Sequence, residues 1–321
     1  MQPGSQQKKT TFLLGLTWCL LGWACLSAEI SGAAPVREGL WLSSTPQQSH
    51  GDKTHGPSPG KRGKPGGAGQ SHGGHESEHR PQPLRTYWLN TCQISEQAEA
   101  FVTRPEGAVE PVAIERDGHE VKLAISTPMG EGPSHGANHL YLVDRTVENG
   151  ILLINTAKWL TIHHNCGWGH DHRFNPARQA AQPFAGAPLE IVVERLWDTN
   201  FHSNVMSGDQ ISFRVLSFGR PAPGATVVIE SDRGWQKRVT SDQEGRGIFQ
   251  LVRDYYPEAG QLFDRSKTGV LRLRADYETG DGGQSGGQDY ARTRMSSTFS
   301  WRYYPARREY VSTALGLLIA L

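Results

Sequence analysis

Residues 163–175 read HHNCGWGHDHRFN. Four histidines, His163, His164, His170 and His172, fall within ten residues, with Cys166 and Asp171 among them. Imidazole-rich sets suit nickel, cobalt, copper or zinc rather than calcium or magnesium. In an extended strand His170 and His172 share one face, the spacing that lets two rings grip one ion. His163 and His164 point to opposite faces, so one of them joins from a given side. Asp171 could orient a ring nitrogen or add a carboxylate oxygen. His135 and His139, in SHGANH, are candidates to complete the shell from a neighbouring stretch. The alternative is a solvated loop. One histidine would read that way; four beside a cysteine and an aspartate favour a metal site.

The compartment decides what Cys166 does. Lys8 and Lys9 precede an apolar run, Thr11–Ala28, followed by small residues. A positive start, an apolar stretch and small residues near a cleavage point predict a secretory signal over 1–28. The competing reading is an uncleaved anchor, since the run approaches the ~18–20 residues a span needs. Gly15, Gly22 and Ser27 weaken that reading. Export makes the chain periplasmic or otherwise extracytoplasmic. Only Cys92 and Cys166 then remain of the four cysteines, and two cysteines in an oxidising compartment most simply pair. The closed loop of about 75 residues would be worth about 4 kcal/mol in the chain-entropy account. In the alternative, Cys166 is a thiolate ligand and Cys92 is free.

Residues 29–84 read as a linker rich in Gly, Pro and His. From about 43 to 85 almost nothing is apolar, so burial cannot offset the entropy of ordering. This stretch carries His50, His55, His72, His75 and His79. They are expected to collect metal loosely, because nothing preorganises them.

Beyond the linker the pattern is that of strands. HEVKLAIST alternates Val121, Leu123 and Ile125 with Glu120, Lys122 and Ala124, the period of a half-buried strand. NHLYLVDRTV and NGILLINTAKWLTI continue between Gly- and Pro-bearing turns. A first β domain is expected over 85–180, with 174–188 as connector. In PLEIVVERLW, Leu189, Ile191 and Val193 share a face, and in DQISFRVLSFG so do Ile211, Phe213 and Val215. Further short strands follow to residue 304. The reading is all-β: two Ig-like or transthyretin-like antiparallel β-sandwich domains, the second over 186–304. The end, 305–321, carries about twelve apolar residues, ~18 Å as a helix against a ~30 Å bilayer core. With RYYPARREY before it, it reads as a membrane-proximal tail.

Other chemistries find no support. The formal net charge is +1, so no global field recruits nucleic acid. CxxCH and Walker-type loops are absent from the sequence. TGDGGQSGGQDY follows no βαβ pattern and reads as a hairpin loop rather than a phosphate cradle. No nucleophile–base–orienter set has the required spacing, so a non-enzymatic role is expected.

GAPLEIVVERLWDTN, MSGDQISFRVLSFGRPAPGATVVIES and VTSDQEGRGIFQLVRDYYP form an ordered series over about 186–256. This series resembles the periplasmic domain-of-unknown-function family described as the nickel-uptake substrate-specific region. Its turn scheme is also that of transthyretin-like and carboxypeptidase-regulatory-like modules, so it specifies fold more than function. The resemblance implies nickel or cobalt as the bound metal and membrane transporter subunits as partners. Two features depart from the family: the N-terminal half does not follow its pattern, and AEISGAAP stands where a histidine usually follows the signal. A structural module of the cell envelope and a copper-handling accessory protein are the competing readings. Within the series, Gly219 and Gly224 bracket a reversal, Ala225 is expected close to the opposite sheet, and Asp242 with Gly245 is expected to form a turn in which Asp bonds its own backbone.

Overall fold

Strands dominate, as the alternating sequence requires. The computed structural model describes residues 39–46, 84–91, 93–126, 136–163, 178, 182–194, 205–258 and 260–306, all within one compact unit, Val36–Leu321. The expected signal, the histidines at 50–79, the pair Cys92 and Cys166, and the tail from 307 onward lie outside these residues. Among the described residues no helix is long and apolar enough to cross a membrane.

The first strands are β1 (Leu42–Ser43), β2 (Leu84–Leu89), β3 (Glu99–Thr103), β4 (Val109–Pro111), β5 (Ile114–Asp117) and β6 (Glu120–Ser126). Two long strands, β7 (Gly136–Glu148) and β8 (Ile151–His163), come next. They are followed by β9 (Glu190–Val193), β10 (Val205–Met206), β11 (Gln210–Ser217), β12 (Arg220–Pro221), β13 (Thr226–Ser231), β14 (Gln236–Thr240) and β15 (Arg246–Gln250). The last are β16 (Gly269–Thr279), β17 (Gly283–Ser285), β18 (Gln288–Tyr290) and β19 (Arg292–Tyr304).

One nine-stranded sheet, ordered β14-β13-β16-β19-β8-β7-β3-β4 with β10 on the side of β19, is the backbone of the fold. A four-stranded sheet, β1-β2-β6-β5, packs on one face; a second, β12-β11-β15 with β9 on β11, packs on the other. Along β7 the side chains divide between these two cores. Leu140 and Leu142 join Tyr87, Val121, Leu123 and Ile125; Ala137 and Val143 join Ile191, Phe213, Val227 and Phe299. A strand covered on both faces is buried throughout rather than at alternate residues, and β7 is buried without interruption from Gly136 to Asp144. Each fully buried Leu, Ile or Phe contributes about 1.5–3 kcal/mol relative to exposure.

The all-β expectation holds. The sheet, however, runs through the boundary expected near 180–186. Arg292–Phe299 of β19 pair in parallel with Ile151–Lys158 of β8, next to the antiparallel pairing of β19 with β16. The two stretches expected as separate sandwiches therefore share hydrogen bonds and the core that holds Val143 and Ile154 with Phe213 and Phe299. Nor is all of 29–84 a linker: β1 pairs with β2, and Leu40, Trp41 and Leu42 are buried. Three consecutive large apolar residues just before the polar tract are enough to anchor that stretch.

Local chemistry sets the turns. Asn149 (φ 51°) and Gly150 (φ 73°) form a two-residue hairpin turn between β7 and β8. Both central residues have positive φ, the type I′ geometry that suits strand twist and selects Asn-Gly. At the turn before β15, Asp242 Oδ1 accepts from the backbone N–H groups of Glu244 (3.0 Å) and Arg246 (2.7 Å). Gly245 has φ 73°, and a Cβ there would lie 2.5 Å from the Val215 carbonyl oxygen. Ala225 is fully buried and donates its N–H to Ser241 Oγ at 2.9 Å. The Asp242–Gly245 turn has the geometry expected of it, with Asp242 bonding its own backbone.

Candidate functional site

The open end of the β7–β8 hairpin is where the described chain adjoins the histidine-rich stretch. Its Asn149-Gly150 turn fixes the register, pairing Glu148 with Ile151 and, at the far end, Gly136 with His163. His135 immediately precedes Gly136 in sequence, and His164, His170 and His172 follow His163. Residues 127–135 and 164–177 lie outside the described residues. The points at which the chain enters and leaves them are hydrogen-bonded neighbours.

The chain comes back to the same place. Arg178 brings its carbonyl oxygen so near Gly136 that a Cβ on Gly136 would sit 2.4 Å from it, and 3.0 Å from Pro105 Cγ. Gly136 also has φ 130°, a backbone region that side chains disfavour. Arg178 is salt-bridged to Glu106, beside the turn between β3 and β4. His163 and Arg178, which flank 164–177 in sequence, thus both lie at Gly136.

Beneath that end the sheet is polar. Arg104, nearly buried, donates to Glu110 (2.9 Å from Nε), to the Ser126 carbonyl oxygen (3.0 Å) and to Asn138 Oδ1 (3.2 Å). Asn138 donates to the Gly136 carbonyl oxygen at 3.0 Å. His139 stands between Thr103 and Leu160 in register. It is buried, and neither ring nitrogen has a hydrogen-bond partner among the described residues. Burial, then the charge of Lys158, hold its pKa well below the usual imidazole range. A neutral ring can ligate, but Lys158 opposes a further cation nearby. His139 therefore belongs to the core beside a fixed positive charge.

A charged cluster that sequence reading missed lies one step along. Lys158 Nζ is 2.8 Å from Glu190 Oε2 and 3.1 Å from the Ile191 carbonyl oxygen. Tyr141 donates to the same Glu190 oxygen at 3.0 Å, and the Phe184 N–H donates to Oε1 at 2.6 Å. Burial, then the Glu190 charge, push the Tyr141 phenol well above its ordinary pKa. The Tyr141 ring stacks on Phe101 and lies 5.3 Å from Lys158 Nζ. The signal was present in the sequence: one lysine in NTAKWL and one glutamate in PLEIVV, each inside an otherwise apolar strand. Lys158, Glu190 and Tyr141 join the nine-stranded sheet to the β9 edge.

Among the described residues no three His, Cys, Asp or Glu side chains converge as a metal site. No protein-family model and no curated protein matches the chain.

Proposed function

We propose that this chain is an extracytoplasmic, non-catalytic protein that binds a divalent transition metal at the open end of the β7–β8 hairpin. The observation that carries this reading is the closure at Gly136. The chain leaves at His163, in register with Gly136, and returns at Arg178, in contact with it. A histidine-rich stretch with both ends fixed loses less entropy on binding an ion than a free tract does. His163, His164, His170 and His172, with His135 across the register, supply the imidazoles; the tract at 50–79 delivers ions at lower affinity. The resemblance over 186–256 makes nickel or cobalt the cargo and membrane transporter subunits the recipients, which makes the protein an accessory of metal uptake.

Calorimetric titration of the chain lacking residues 1–28 with nickel, cobalt, copper and zinc tests this. One tight site is expected, lost in the His170→Ala/His172→Ala variant and retained when 47–83 is deleted. Absence of micromolar binding, or binding that survives both histidine substitutions, refutes it.

A further inference from the structure

The second site lies elsewhere and does not depend on the metal. Two adjoining clefts, of about 530 and 600 Å³, open where β1 and β2 end over β8, β19 and β16. Both are lined by Ser44, Trp159, Ser300, Trp301 and Arg302. Arg85 lines the first and Arg272 the second, and no aspartate or glutamate lines either. Volumes of this size lie in the range of sites for organic ligands, about 300–1,000 Å³.

The arginines are available. Arg85 Nη1 donates to Thr161 Oγ1 at 2.9 Å, which fixes its direction and leaves other donors of the guanidinium. Arg272 pairs in register with Ser300, and Arg302 with Val270, so Arg272, Ser300 and Arg302 stand on one face of the sheet. Arg272 and Arg302 have no ion-pair partner among the described residues, although Glu230 is the cross-strand neighbour of Arg272. On neighbouring strand positions arginines are matched: Arg274 with Asp276 at 3.0 Å, Arg292 with Glu278 at 3.1 Å. Trp159, half-buried against Tyr87, lies between the two cleft halves.

We infer that this double cleft binds an acidic oligosaccharide containing uronic acids. Guanidinium forks match carboxylates in bidentate geometry. An indole face takes the apolar face of a pyranose. Ser44, Thr161 and Ser300 in the lining supply partners for ring hydroxyls. The chain's own residues 47–83 are the nearest rival occupant, since they depart after Pro46 and return before Leu84, close to the cleft. They carry five Lys and Arg against three Asp and Glu, the wrong sign for a cleft lined by arginines.

The test uses the chain lacking only the expected signal, titrated in EDTA with trigalacturonate, with a neutral cello-trisaccharide, with an eight-nucleotide oligo-dT and with inorganic phosphate. Tryptophan fluorescence and calorimetry are read together. Trigalacturonate is expected to bind at least tenfold more tightly than each of the others. Arg272→Ala/Arg302→Ala is expected to lose at least tenfold in that affinity with an unchanged circular dichroism spectrum, and deletion of 47–83 to leave it unchanged or raise it. Equal binding of the neutral sugar, tighter binding of oligo-dT or phosphate, no binding of trigalacturonate, or an unaffected double variant each overturns the inference. Because EDTA removes divalent ions, these outcomes are independent of the histidine site.

Discussion

Lys158 and Glu190 form a fully buried ion pair, 2.8 Å between Nζ and Oε2, that ties a central strand of the nine-stranded sheet to the edge strand of the sheet packed on it. Their side chains are 2% and 0% exposed, so neither charge has water to fall back on. Removing one partner leaves the other buried and uncompensated, which costs about 3–5 kcal/mol, whereas replacing both by apolar residues of similar volume is often neutral. Lys158→Met is accordingly expected to lower the urea midpoint sharply, and Lys158→Met/Glu190→Gln, which removes both charges and keeps an acceptor beside Tyr141 and the Phe184 N–H, to recover part of the loss. A double variant as unstable as the sum of the two single ones would show that the two side chains do not stabilise one another.

Gly136 is where the histidine-rich stretch is clamped. Gly136→Val would combine a positive φ with a clash against the Arg178 carbonyl oxygen and Pro105. The expected result is a fold that survives, since β7 is paired with β8 from Gly136 to Glu148 and with β3 from His139 to Val143, with the chain at 164–177 more open to attack. Limited proteolysis should then cut within 164–177 at least tenfold faster, and nickel affinity should fall in parallel. Unchanged cleavage would mean that the closure at Gly136 does not hold the stretch.

The parts of this architecture that were legible from sequence are those set by local chemistry. The Asp242–Gly245 turn and the alternation of β6 and β11 need only neighbours in the chain. Asn149-Gly150 was equally readable as a hairpin turn, and with it the pairing of Gly136 with His163. What could not be read is the parallel pairing of 151–158 with 292–299, because nothing in either strand names a partner so distant in sequence. Sharing one sheet between two cores also conceals where a boundary falls. Of the site, the residue types in 163–172 were visible; the return of the chain at Arg178 was not, because close approach to a glycine is a tertiary fact.

His139 predicts a pH dependence. Its imidazole is held neutral in the fold, first by burial and then by Lys158, while in the unfolded chain it titrates near ~6.5. Below that value the unfolded state binds a proton that the folded state refuses, so stability falls as the pH drops, by up to about 1.4 kcal/mol per pH unit. Above it the contribution is flat. His139→Phe, which needs no hydrogen-bond partners and can lie against Tyr141, should flatten the stability profile between pH 7 and 5 in metal-free buffer. If wild type and variant show the same slope over that interval, His139 is not the group responsible.

The shared sheet predicts that the two cores unfold together. Leu123 belongs to the core beneath the β1-β2-β6-β5 sheet and Phe213 to the core on the opposite face, and each is fully buried. Truncation should cost about 2–5 kcal/mol for Leu123→Ala and 3–5 kcal/mol for Phe213→Ala. Separate domains would each lose only their own transition. Here β7 and β8 contribute side chains to both cores and β19 binds β8 directly, so melting one face strips packing from strands that the other needs. Calorimetry and denaturant titration should show one transition for the wild type, and each substitution should shift that whole transition, read both by near-ultraviolet circular dichroism and by hydrogen exchange on β6 and β13. Two resolved transitions, with Leu123→Ala moving one and Phe213→Ala the other, would mean that the β8–β19 pairing joins two independently stable bodies.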